Sequence, residues 1–233
     1  MKRAADLFDA AARERVRAAV AAAEKSTSCE LVPVVATASG RYDRAEDVVG
    51  LWLACAAALA VWLLWPHAAG PGEWDASPAW LGALALLAAI LLAFSLGAWL
   101  AGRLGGLRRP FVPADQAAEE VDAAARRAFF DRRVHHTAGA TGVLLYVSLY
   151  EHRAAVLADR AVVEALGEGF TCEVCATLTA GLRGEGSAGG DPADALCAAI
   201  AAAAARLAAV LPRTADDRDE LSDALVLLEE PGR

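Results

Sequence analysis

Apolar residues follow different periods in different parts of this chain. Between Asp9 and Lys25 they recur at Ala12, Val16, Ala19, Val20 and Ala23. That is the spacing of one helix face, with Asp9 placed as its N-cap. The segment CELVPVVA, residues 29–36, is almost wholly apolar and predicts a strand buried on both faces. Pro33 stands against it, because proline lacks the N–H that a central strand donates. Residues 48–65 and 79–102 then carry no charge at all. As helices they reach about 27 Å and somewhat more, enough to cross a hydrocarbon core of roughly 30 Å. Trp52, Trp65, Trp80 and Trp99 lie in or at the ends of these runs, where amphipathic rings favour a membrane interface.

Mixed patterning returns after the second run. Residues 114–136 predict a charged helix with Val121, Ala125, Ala128 and Phe129 inward, joined by the stem of Arg132 or Arg133. In TGVLLYVSLYEHRAAVLADR, strands are expected over 143–149 and 153–159, with YEHR as the turn. Helices over 161–167 and 171–182 follow, then a GEGSAGG loop at 184–190. The last helix begins at an Asp191 N-cap with Pro192 in its first position and Asp194 in its first turn. It stops at Pro212, and a strand over 225–228 closes the chain. The piece before the apolar runs holds one helix and one strand, too little surface to fold by itself. The expected fold class is therefore α/β, one domain interrupted by a transmembrane helical hairpin. Residues 1–47 give its first helix and strand, 48–102 the hairpin, and 103–233 the remainder.

Composition sharpens this division. The chain is 57% hydrophobic yet 22% charged, so the two characters are segregated along it. A net charge of −8 excludes nucleic acid as the expected partner, since phosphate neutralisation needs clustered cations. The link at 66–78 holds Glu73 and Asp75 but no Lys or Arg, whereas Arg41, Arg44, Arg103, Arg108 and Arg109 flank the runs. By the positive-inside rule both termini are cytoplasmic. Five cysteines, one of them (Cys55) inside an apolar run, give no even disulfide framework and fit a reducing compartment. The amino-terminal stretch has no apolar h-region and is not read as a signal peptide.

In FDAAARERVRAAVAAAEKSTSCELVPVVA, TGVLLYVSLYEHRAAVLADRAV and a helix pair ending near RDELSDALVLLEE, the chain resembles the TPM-domain family in its bacterial membrane-inserted form. The resemblance covers nearly all of the sequence outside the apolar runs. It implies an α/β/α sandwich in the bacterial inner membrane. It also implies a role among those proposed for the family: phosphatase, divalent-metal binder, or factor aiding assembly or repair of membrane complexes. Members place a glycine-rich GYG-like segment where Ala158, Asp159 and Arg160 stand here. Glycine lets a ligand approach the backbone closely, and this chain has none at that point.

No GxSxG, Walker A or HExxH motif occurs, and no catalytic residue is assigned. Asp159 and Arg160 at a strand end, with Glu164 a turn into the next helix, are the candidates for holding a metal or phosphate. They compete with a helix cap beside an exposed ion pair. Cys172 and Cys175 have CxxC spacing for zinc or thiol chemistry, against two helix positions that face the core. Asp216, Asp217, Asp219, Glu220 and Asp223 form an acidic run that either takes a hard cation or is a solvated segment. His135 and His136 fall at a helix end. The expected function is a multi-pass inner-membrane protein whose cytoplasmic domain is a non-catalytic binding or assembly module. Its expected partners are the lipid bilayer and a membrane protein complex, with no cofactor. The alternative is a metal-assisted phosphohydrolase using a divalent cation.

Overall fold

The computed structural model describes residues 3–65, 79–104, 106, 109–185, 190–214 and 220–229. The chain divides into two compact units. Tyr42–Ala114 forms one, and Lys2–Arg41 together with Asp115–Arg233 forms the other.

The second unit is built on a four-stranded mixed sheet. Its strands are β1 (Leu31–Ala36), β2 (Val143–Ser148), β3 (Arg153–Ala158) and β4 (Val226–Leu228), in the order β3-β2-β1-β4. β1 pairs in parallel with β2, in a register from Leu31↔Val143 to Ala36↔Ser148, and in parallel with β4. β3 returns antiparallel beside β2 after a turn in which His152 takes φ 53°. The central strand is thus supplied from ahead of the apolar runs and its neighbours from behind them.

Pro33 fits this central strand because of what lies beside it. The Ala36 carbonyl accepts from Leu149, on the β2 side, while the Thr37 N–H goes to Leu228 on the β4 side. Successive residues alternate, so residues 31, 33 and 35 face β4. β4 begins only at Val226, opposite Val34. The Leu31 N–H, which β4 does not reach, is taken by the buried Glu24 carboxylate at 2.9 Å. Pro33 has no N–H to satisfy at the remaining position.

Alternation along the strands makes two cores. Leu31, Val35, Val143, Leu145 and Val147 face the helices α2 (Ala10–Glu24), α7 (Gly169–Leu182) and α8 (Pro192–Val210). Val32, Val34, Leu144 and Tyr146 face Val121, Ala125, Ala128 and Phe129 of α5 (Ala114–Asp131). Helices therefore cover both faces of the sheet. A short helix α1 (Ala4–Leu7), unforeseen in the sequence, leads to the fully buried Phe8. α5 ends at Asp131, so Arg132 and Arg133 lie beyond it and are exposed; neither joins its inner face. α6 (Arg160–Leu166) connects β3 to α7.

α8 starts as its sequence predicts. Asp191 caps it, with a carboxylate oxygen accepting from the Ala193 N–H at 2.9 Å. Arg15 of α2 binds both Asp191, at 3.1 Å, and Asp194. Burial pushes the Asp191 carboxyl up, but the Ala193 N–H and Arg15 outweigh it and hold the group below its ordinary value of 3.8. A depressed carboxyl contributes stability above its unfolded pKa and loses it as pH falls through the folded value. Asp191→Ala is expected to cost about 1 kcal/mol at neutral pH. In denaturant titrations the gap from wild type should narrow below the ordinary aspartate range.

The other unit is a helical hairpin, α3 (Asp43–Leu64) and α4 (Ala79–Arg103). The helices start or end a few residues outside the uncharged runs. Glycines set their closest approach. A Cβ built on Gly97 would lie 2.8 Å from the Gly50 Cα and 3.2 Å from the Val49 carbonyl, and one on Gly50 would lie 2.9 Å from the Phe94 carbonyl. Backbone atoms are the nearest neighbours at both glycines, and they cannot yield as the end of a flexible side chain would. Gly97→Leu should therefore separate the helices at a cost of about 1–3 kcal/mol or more. The measurement is thermal loss of helicity of the full chain in detergent, and an unchanged melt would contradict the close crossing.

Candidate functional site

Polarity of the strands decides where polar side chains can gather. In open α/β sheets ligands meet the carboxyl ends of the parallel strands. In this sheet those ends are Ala36, Ser148 and Leu228. Because β3 runs antiparallel, its own last residue, Ala158, pairs with Val143, at the start of β2. Asp159, Arg160 and Glu164 consequently stand at the amino edge of the parallel strands.

At the carboxyl edge a chain of hydroxyls ties the loop after β1 to β2. Ser39 Oγ donates to Ser148 Oγ at 2.7 Å, and Ser148 Oγ donates to the Glu151 carboxylate. With the Ser39 hydrogen so placed, the Tyr146 hydroxyl donates to Ser39 Oγ at 2.9 Å. Glu151 also accepts the backbone N–H groups of Ser39, at 2.9 Å, and Gly40, at 3.1 Å. Tyr146, Ser39 and Ser148 are all buried. Burial raises the Tyr146 phenol above its ordinary value. The phenol is therefore a neutral donor at physiological pH.

Beside this chain opens a cleft of about 290 Å³. Ser39 and Tyr146 line it together with Arg127 and Asp131 at the end of α5 and Arg132 just beyond it, and the remaining wall is mostly alanine. One signal of this site is visible in the amino-acid pattern. Tyr146 is a hydroxyl-bearing ring in a strand that is aliphatic up to Ser148, and a buried tyrosine needs a hydrogen-bond partner. Ser39 and Glu151 carry no local signal, since they meet only through the β1–β2 pairing.

The residues singled out from the sequence take smaller parts. One Asp159 carboxylate oxygen accepts from the Arg160 N–H at 2.7 Å and caps α6. The other, Oδ2, is buried and has no hydrogen-bond partner among the described residues. Arg160 and Glu164 form an i,i+4 pair at 3.6 Å, with side chains 81% and 69% exposed. A pair so exposed adds little. Cys172 is exposed, while Cys175 is half-buried and its thiol donates to the Ala154 carbonyl at 3.4 Å. Burial, then the nearness of Cys172, pushes the Cys175 thiol up, the opposite of what a nucleophile or metal ligand requires. Glu220 accepts from the Ala138 N–H at 2.9 Å. Asp216, Asp217 and Asp219 lie outside the described residues. His135 and His136 follow α5, with ring centroids 6.3 Å apart.

A hard divalent cation takes six to eight oxygen ligands. Among the described residues no group of three or more His, Cys, Asp or Glu side chains converges, and the single free oxygen of Asp159 does not make such a site.

Glu151→Ala leaves two backbone N–H groups and the Ser148 hydroxyl without their charged acceptor. The expected loss is about 2–4 kcal/mol in denaturant titrations, with faster amide exchange at Ser39 and Gly40. Unchanged exchange at both amides would show that Glu151 does not hold this loop.

No family model matches the chain, and no curated protein matches it. Among solved structures it is similar to the BA42 protein of the psychrophilic bacterium Bizionia argentinensis, determined by NMR. Identity is 15% and the TM-score 0.56, over 97% of this chain and 99% of that one. The likeness supports the α/β fold and carries nothing about activity.

Proposed function

We propose that the chain is a two-span protein of the bacterial inner membrane, with both termini cytoplasmic. Its α/β unit would be a TPM-like α/β/α sandwich acting as a non-catalytic binding or assembly module. One observation carries the membrane reading. Among the described residues three helices are long and apolar enough to cross a membrane, but they differ in burial. In the most apolar 18-residue window, 44% of α8 is buried, against 11% in α3 and 6% in α4. Leu63 and Leu64 of α3, and Leu91 and Leu92 of α4, are each more than 60% exposed. A contiguous apolar surface of this extent is unfavourable in water and suits hydrocarbon. Arg103 at the end of α4 stacks 4.7 Å from the Trp99 ring centroid, a pairing suited to a membrane interface.

The binding reading rests on how the carboxyl edge uses its polar groups. Each hydroxyl hydrogen of Tyr146, Ser39 and Ser148 is directed along one chain that ends at Glu151. Ser148 is buried, and the Glu151 carboxylate that accepts its hydrogen also holds the Ser39 and Gly40 N–H groups, an arrangement that shapes a loop. A metal-assisted phosphohydrolase is the second reading, favoured by Asp159 Oδ2 alone, which has no hydrogen-bond partner among the described residues.

An activity assay separates the two. The full chain in detergent, given a generic phosphate ester with Mg²⁺, Mn²⁺ or Ca²⁺, is expected to show no turnover above background. Metal-dependent turnover that disappears in Asp159→Ala would instead establish the phosphohydrolase. Topology has its own check. Cysteine residues introduced into the 66–78 link should label from the periplasm, and ones at the termini should not.

A further inference from the structure

We propose that the carboxyl-terminal end of α5 and the cleft beside it form a docking surface for an acidic segment of another protein. The inference rests on the binding-module reading and names the chemistry of its partner.

The chain is acidic overall, with a net charge of −8, yet residues 126–133 hold four arginines against one aspartate. Arg126, Arg127, Arg132 and Arg133 are all exposed. Among the described residues, no guanidinium of these four makes a hydrogen bond or ion pair. Elsewhere in the same unit Arg15, Arg17, Arg160 and Arg206 each meet a carboxylate. Amid these arginines stands Phe130, 61% exposed, with its ring 4.9 Å from that of His135. Arginine and exposed aromatic rings are the residues that carry most of the binding energy at protein interfaces.

Shape selects among anionic partners. Arg127 and Arg132, two cations against the one carboxylate of Asp131, line the 290 Å³ cleft together with Ser39 and Tyr146. The Ser39 and Tyr146 hydroxyls donate inward, so the guanidinium forks are the donors left to an incoming anion, and they match a carboxylate two bonds at a time. A bilayer surface is a plane and makes no use of such a concavity. A nucleic acid needs a longer basic track than one helix end provides. An Asp or Glu side chain projecting from a partner fits the cleft, while an apolar neighbour packs on Phe130.

The test uses the full chain in zwitterionic nanodiscs and a fluorescent glutamate-rich peptide with one central leucine. Anisotropy should show saturable binding that weakens as salt is raised. The double variant Arg127→Glu/Arg132→Glu should bind at least about tenfold more weakly, and Phe130→Ala should weaken binding of this peptide but not of its leucine-free analogue. All three side chains are exposed, so unchanged melting curves are expected and should be recorded beside the titrations. Absence of saturable binding, or equal binding by the charge-reversed variant, would overturn the proposal. So would tighter binding, through the same arginines, to anionic vesicles or a single-stranded oligonucleotide. Phosphate-ester turnover in the separate activity assay would defeat the non-catalytic reading and leave these titrations intact.

Discussion

Everything in the α/β unit depends on one central strand having neighbours on both sides. β1 is buried along its whole length, and an unpaired backbone group there would cost about as much as a lost hydrogen bond. Its partners, β2 and β4, both come from beyond the helical hairpin. Loop closure entropy rises only slowly with the length enclosed, so a long insertion between paired strands costs little more than a short one. The hairpin can interrupt the domain because the pairing on either side is complete without it.

The same pairing creates the polar edge. Ser39 and Tyr146 stand 107 positions apart in sequence and 2.9 Å apart in space. They meet because parallel register brings the end of β1 level with the end of β2. Glu151 then closes the arrangement from the turn that begins the antiparallel return. The cleft forms where that edge meets α5, whose inner face is fixed by Val121, Ala125, Ala128 and Phe129. Those buried positions turn Arg127 toward the cleft and leave Phe130 exposed.

Apart from the assembly of one α/β domain across the apolar runs, what could be read from the sequence was local. Asp9 and Asp191 cap their helices as their positions predict, since a cap depends only on the next few residues. Elements of the strands and helices fall within a few residues of their expected bounds. Pro33 could not be reconciled in advance, because the answer lies in the shortness of β4 and in Glu24 reaching the Leu31 N–H. Asp159 drew notice as a strand end, but which edge of the sheet a strand end occupies depends on its direction, and β3 is the antiparallel strand. Cys172 and Cys175 have a suggestive spacing that one helix turn accounts for. Ser39 and Glu151 were invisible because nothing near either residue announces the other.

Apolar composition alone could not separate α8 from α3 and α4; the placement of large and small residues does. α8 turns Leu196, Ile200 and Leu207 inward, and its exposed positions are Ala198, Ala201, Ala205, Arg206, Ala209 and Val210. The hairpin reverses that order. Gly50 and Gly97 lie at the crossing, while Leu and Trp side chains point outward. In a water-soluble core the hydrophobic effect pulls the largest apolar groups inside. Between helices in hydrocarbon that drive is absent, and close backbone contact through small residues takes over. The two patterns are opposite placements of the same few amino acids. The proposed membrane placement of the hairpin therefore rests on its packing as well as on its composition.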